Sequence, residues 1–172
     1  MPRYLTEIRL GKQRQFFRDI IHDVRNQFNL RSQKRPVSHI TLFGPYDTSQ
    51  GYKAKYRKQR VLSNHSVVPF RVEGFSSFPD AGVVYADVQP SKQLRDLRRE
   101  LASALITITY EYQSWDTDDT YDFHITIAMN LGRKRTNVLT YLRQNYDVDM
   151  RLYTQRVAAL DRRQMMWEWD IP

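Results

Sequence analysis

His39-Ile40-Thr41-Leu42 recurs in kind as His124-Ile125-Thr126-Ile127. Both stretches alternate polar and apolar residues, the pattern of a strand with one buried face. Residues i and i+2 of a strand point to the same side. His39 and Thr41 therefore share a face, as do His124 and Thr126, while Ile40, Leu42, Ile125 and Ile127 point to the core. The chain has four histidines and 11 threonines in 172 residues, so a Thr two places after a given His is expected about one time in sixteen. Two such pairs among four histidines are an improbable coincidence. The two histidines are 85 positions apart, and half of the chain is 86. That spacing predicts two related halves with their polar faces turned toward each other.

Working outward, Tyr4–Leu10 reads as a strand. Phe16, Phe17, Ile20, Ile21, Val24 and Phe28 make 12–29 an amphipathic helix. The first motif lies in a strand over 38–43, closed by Gly44-Pro45. Residues 47–65 lack a continuous apolar stripe and read as a basic surface loop with at most a short helix. Strands over 67–78 and 82–88 flank the turn Pro79-Asp80-Ala81. Ser91 then caps a helix carrying Leu94, Leu97, Leu101, Ala104 and Leu105 on one face. The acidic run 114–122 reads as a solvated loop. It is followed by a strand over 123–129, a helix over 136–145, and strands over 150–160 and 165–169 with a turn at 161–163. Several strands are joined too closely for helical crossovers, so the fold class is α+β with antiparallel sheet. With no Gly-, Ser- or Pro-rich linker, 1–172 is expected to form a single domain.

Composition narrows the function classes. Zero cysteines exclude a disulfide framework, a thiolate nucleophile and a cysteine-based zinc site. No His-x3-His or His-Glu-x-x-His pair is present, so no metal site is expected. Asp116, Asp118, Asp119 and Asp122 lack the glycine and the terminal glutamate of a calcium loop. No apolar run approaches a membrane span, and a cytoplasmic monomer is expected. The net charge is +8, and it is uneven. Residues 1–60 hold 14 basic and 4 acidic side chains (+10), and the remainder 13 and 15 (−2). A field concentrated in this way suits a polyanion such as RNA, or a phosphorylated small molecule.

The paired motifs fit phosphodiester chemistry. An imidazole serves as base or acid near neutral pH because its unperturbed pKa is about 6.5. Two opposed imidazoles supply both functions in line across phosphorus, and threonine hydroxyls donate to the non-bridging oxygens as charge builds there. His22 and His65 lack this context and read as structural or surface residues. Tyr46 and Trp115 are candidates to stack on a base, and Arg133 and Lys134, with Arg135, are candidates to meet phosphates.

The tandem His-x-Thr pairs resemble those of the two-histidine (2H) phosphoesterases, which include RNA 2′,3′-cyclic phosphodiesterases, also called 2′-5′ RNA ligases. The order of strands and helices resembles the family's layout over most of the chain. The resemblance implies a bilobal, pseudo-two-fold α+β fold, with antiparallel sheets lining a central cleft and helices outside. It also implies no metal or other cofactor, catalytic His39 and His124, and phosphate-binding Thr41 and Thr126. The activity it implies is opening of 2′,3′-cyclic phosphates to 2′-phosphates. A 2′-5′ RNA ligase, a 2′-5′ oligonucleotide phosphodiesterase and a non-catalytic RNA-binding module stand as alternatives. The basic segment 52–60 has no place in the family pattern.

Overall fold

The computed structural model describes residues 4–30, 36–154, 156–161 and 164–170. Among the described residues, eight strands and four α-helices run β1 (Tyr4–Arg9), α1 (Arg14–Gln27), β2 (His39–Tyr46), α2 (Gly51–Leu62), β3 (Val68–Phe78), β4 (Val83–Pro90), α3 (Lys92–Ile106), β5 (His124–Ala128), α4 (Arg135–Asn145), β6 (Asp149–Thr154), β7 (Arg156–Asp161) and β8 (Gln164–Asp170). They form two four-stranded sheets, ordered β2-β1-β7-β8 and β5-β4-β3-β6. Every pairing is antiparallel, so the α+β expectation holds. Among the described residues, no helix is long and apolar enough to cross a membrane.

The periodic segments fold as their patterns dictate. α1 buries Phe17, Ile20, Ile21 and Val24. Each such side chain stabilises by about 1.5–3 kcal/mol before conformational entropy offsets it. α3 begins at Ser91, whose hydroxyl accepts from the Leu94 N–H at 3.1 Å. Such a cap contributes about 1 kcal/mol. Ile40, Leu42, Ile125 and Ile127 are fully buried in one apolar cluster that joins both sheets to α1. A smaller cluster of Tyr4, Phe43, Tyr46, Ala54, Ala102, Leu105 and Ile108 sits under α2 and α3.

Three expectations are corrected. First, β2 does not stop at Gly44-Pro45 but runs through a cis peptide to Tyr46. Gly44 makes this possible. Its φ is +103°, and a Cβ there would lie 2.9 Å from Tyr46 Cδ1. Second, 47–65 is not mainly loop. α2 spans twelve residues and buries Ala54, Lys58 and Leu62. A lysine in the middle of the buried stripe hides the helical period from a hydropathy reading. Its ammonium donates to the Tyr46 hydroxyl at 3.1 Å and lies 5.4 and 5.5 Å from the Trp167 and Trp169 ring centres. Burial lowers its pKa to about 7. Third, 150–160 is not one strand. β6 pairs with β3 in the second sheet and β7 with β1 in the first. The chain changes sheets without the Gly or Pro that would have marked the break. The expected turn at 161–163 falls largely outside the described residues.

Candidate active site

β2 and β5 are edge strands of different sheets, and they lie next to each other. Each carries one motif. His39 stands opposite Arg9 and Thr41 opposite Glu7. His124 stands opposite Asp87 and Thr126 opposite Tyr85. All four motif side chains are partly exposed while their alternating neighbours are buried. The period-two reading of both faces therefore holds.

The two imidazoles are held in the same way. His39 Nδ1 is 2.7 Å from the Val37 carbonyl, and His124 Nδ1 is 2.8 Å from the Asp122 carbonyl. A carbonyl oxygen only accepts, so Nδ1 carries the hydrogen in both rings. The neutral tautomer is thereby fixed, and Nε2 is left to accept or donate a proton. The carbonyl lies two residues before the histidine in each motif.

Their surroundings differ. Glu7, fully buried, places Oε2 3.5 Å from His39 Nδ1. His124 sits among rings instead: Phe78 at 5.0 Å edge-on, Tyr85 at 5.2 Å and Tyr121 at 6.2 Å between centroids. Burial holds its pKa below the ordinary imidazole value. The His39 charge pushes it the same way, while the Asp122 carbonyl and the Asp122 and Asp87 carboxylates pull against them. The adjacency of β2 and β5 is what brings the two motifs to one region of the molecule.

Tyr121 lies between the motifs and was not singled out in the sequence. Its ring neighbours His124, and Thr41 is close enough to its hydroxyl to pull its pKa down against burial. Burial raises its pKa to about 12. The Arg98 guanidinium lies 3.9 Å above its centroid and donates to the Asp118 carbonyl at 3.1 Å and to the Trp115 carbonyl. Desolvation lowers the Arg98 pKa. The only hint in the sequence was an aromatic residue within an otherwise acidic run.

The run 114–122 is solvated as expected except at Asp116 and Tyr121. Asp116 is buried, and its carboxylate accepts from Gly44 N at 2.9 Å and Gln113 N at 3.1 Å. It fastens the segment before β5 to the end of β2, across 72 positions of chain. Burial raises its pKa, and the two backbone donors partly offset this. Asp116→Ala leaves both N–H groups without their acceptor and is expected to cost about 1–3 kcal/mol, read from denaturant midpoints.

Other expected site residues lie elsewhere. Tyr46 is fully buried between Tyr4 and Phe43. It has no free face for a base, so its expected stacking role is corrected to a core one. Trp115 is 44% exposed in the 3-10 turn Ser114–Thr117. Arg133 and Lys134 follow β5 at the end opposite His124. Lys134 donates to the Phe28 carbonyl at 2.9 Å, at the C-terminal end of α1. That end attracts cations. His22 is exposed beside Asn26, and His65 pairs with Glu100 at 3.1 Å.

A family model of the 2′-5′ RNA ligase superfamily matches residues 13–164. Solved structures with the same fold include LigT of E. coli in complex with 3′-AMP, with 15% identity and a TM-score of 0.59 over 99% of each chain. LigT in complex with ATP gives 16% and 0.60, over 99% of this chain and 97% of that one. TT0787 of Thermus thermophilus gives 13% and 0.59, over 98% and 97%. No curated protein matches the sequence.

Proposed function

This chain belongs to the 2′-5′ RNA ligase superfamily, whose model matches residues 13–164, and from that premise we propose that it opens RNA-type 2′,3′-cyclic phosphates to 2′-phosphates. His124 is the general base and His39 the general acid. The observation that carries this reading is the matched pair of imidazoles, each with Nδ1–H on a carbonyl two residues earlier. Nε2 of both rings is thereby left to handle protons.

Nε2 of His124 takes a proton from water as the water oxygen bonds to phosphorus. The bond from phosphorus to the ribose 3′ oxygen breaks, and Nε2–H of protonated His39 delivers its proton to that oxygen. The 2′ ester remains. The hydroxyls of Thr41 and Thr126 donate to the non-bridging oxygens. The asymmetry of the site supports the assignment. A positive charge on His39 has a buried carboxylate 3.5 Å away, whereas aromatic surroundings keep His124 neutral. Two related lobes within one domain, each supplying one motif, complete the reading. The substrate is an RNA or nucleotide phosphodiester. The structures of LigT with 3′-AMP and with ATP illustrate nucleotides on a fold of this kind.

A base whose pKa is lowered is deprotonated at and above pH 6.5, and it loses competence only as pH falls through that lowered value. The acid limb of kcat/KM is therefore expected below about pH 6.5. Rates measured from about pH 4 to 9 check this; a flat profile, or an acid limb above about 7, contradicts the assignment.

The activity is tested by incubating the protein with the four nucleoside 2′,3′-cyclic phosphates, with and without EDTA. Formation of the 2′-phosphate in both conditions is expected; no product from any of the four rejects the reading. A ribose hydroxyl in the place of water turns the same step into 2′-5′ ligation, so adding an oligonucleotide with a free 5′ hydroxyl separates the two directions.

A further inference from the structure

Resting on that reading, we propose that the exposed face of α2 is a docking surface for the body of a single-stranded RNA whose cyclic-phosphate end lies between the two motifs. The buried stripe of α2 is Ala54, Lys58 and Leu62. The opposite face carries Tyr52, Tyr56 and Arg60 at successive turns, with Lys53 beside them. Tyr52 is 78% exposed and Tyr56 71%. They are one turn apart, about 6 Å along the axis. Two flat rings presented side by side to solvent form an unused aromatic surface.

The charge of the helix is as one-sided as its aromaticity. Five of its twelve residues are Lys or Arg and none is acidic. Arg57 is committed to the Ala104 carbonyl and Thr107, Lys58 is buried, and half-buried Lys55 places its ammonium 5.6 Å from the Trp167 ring centre. Lys53 and Arg60 remain at the surface. Lys53 sits in the first turn, which has no acidic residue and where the helix dipole disfavours a cation. Phosphates answer the charge, and bases answer the rings, because every base has a face that stacks. An acidic protein surface answers only the first.

Position relates this surface to the catalytic groove. β2 takes seven steps from His39 to Tyr46, about 23 Å at roughly 3.3 Å per residue, and α2 follows five residues later. A mononucleotide spans far less than this; an RNA of about seven nucleotides covers the length of β2 even at the per-strand phosphate spacing of roughly 3.4 Å, and a longer one continues past its end. Asp47 ties the start of this stretch to Glu111 by a backbone bridge. Tyr110 and Trp115, both exposed, lie on the segment that continues from there toward the turn fastened by Asp116.

The test uses the full chain and a single-stranded RNA of about twelve nucleotides ending in a 2′,3′-cyclic phosphate. Its affinity is read by fluorescence anisotropy for His39→Ala protein, with and without Tyr52→Ala/Tyr56→Ala or Lys53→Glu/Arg60→Glu. Turnover of a nucleoside 2′,3′-cyclic phosphate is measured with the same α2 variants on intact His39. Each α2 pair is expected to weaken RNA binding about tenfold or more. The charge pair is expected to reduce the salt slope by about two, and mononucleotide turnover to stay unchanged. Unaltered RNA affinity in both pairs overturns the proposal. So does loss in the charge pair alone, which describes a surface that any polyanion occupies. Binding that depends on α2, in a protein that hydrolyses no cyclic phosphate, leaves this surface standing and removes the proposed activity. Hydrolysis that is blind to α2 for long and short substrates alike does the reverse.

Discussion

Alanine at His39 or His124 is expected to lower turnover of a nucleoside 2′,3′-cyclic phosphate by roughly 10²–10⁴. The proposed step needs a proton removed on one side of phosphorus and a proton supplied on the other, so neither imidazole substitutes for the other. The loss should not arise from misfolding. Both side chains are partly exposed on edge strands, and the anchors of those strands, Ile40, Leu42, Ile125 and Ile127, are untouched. His124→Ala should also lose the acid limb of the pH profile. Wild-type turnover in either variant removes that histidine from the mechanism. The same measurement on His22→Ala, an exposed residue of α1, should show no change.

Thr41→Val and Thr126→Val are expected to lower kcat by about 10²–10³ each, with a smaller change in KM. Valine keeps the branched shape and removes only the hydroxyl, so the strand and its β-propensity survive. A donor aimed at an oxygen that gains charge in the transition state acts on kcat. The two sites are not equivalent: Thr41 lies near the Tyr121 hydroxyl, and the Tyr121 ring neighbours His124, so Thr41→Val also changes the surroundings of the proposed base. Steady-state kinetics on both variants check the expectation. An unchanged kcat in the pair shows that these hydroxyls do not meet the phosphate oxygens.

What the sequence disclosed follows from the range of its signals. Both motif strands and their buried faces were legible because period-two alternation is local, as were α1 and the Ser91-capped α3. α2 was hidden because Lys58 interrupts its stripe, and the aromatic surroundings that accommodate that lysine come from β2 and from β8, more than a hundred positions later. The change of sheet between β6 and β7 left no mark because extended backbone continues on both sides. The site divides along the same line. The imidazoles and threonines were readable as a repeated pattern. The Asp116 link to Gly44 and the stacking of Arg98 on Tyr121 were not, since each joins distant segments by a hydrogen bond or a ring contact. Tyr46 shows the converse error. An aromatic residue after a motif strand looks available until the packing of Tyr4 and Phe43 around it is known.

The central claim is that two imidazoles meet one phosphorus, and nitrogen-detected NMR of the histidine side chains during titration with a nucleoside 2′-phosphate tests it most directly. The free protein should show His39 and His124 with hydrogen on Nδ1. Nε2 of both should then shift together as the ligand saturates, while His22 and His65 stay still. A response from only one of the two rings, or from neither at saturation, would contradict it.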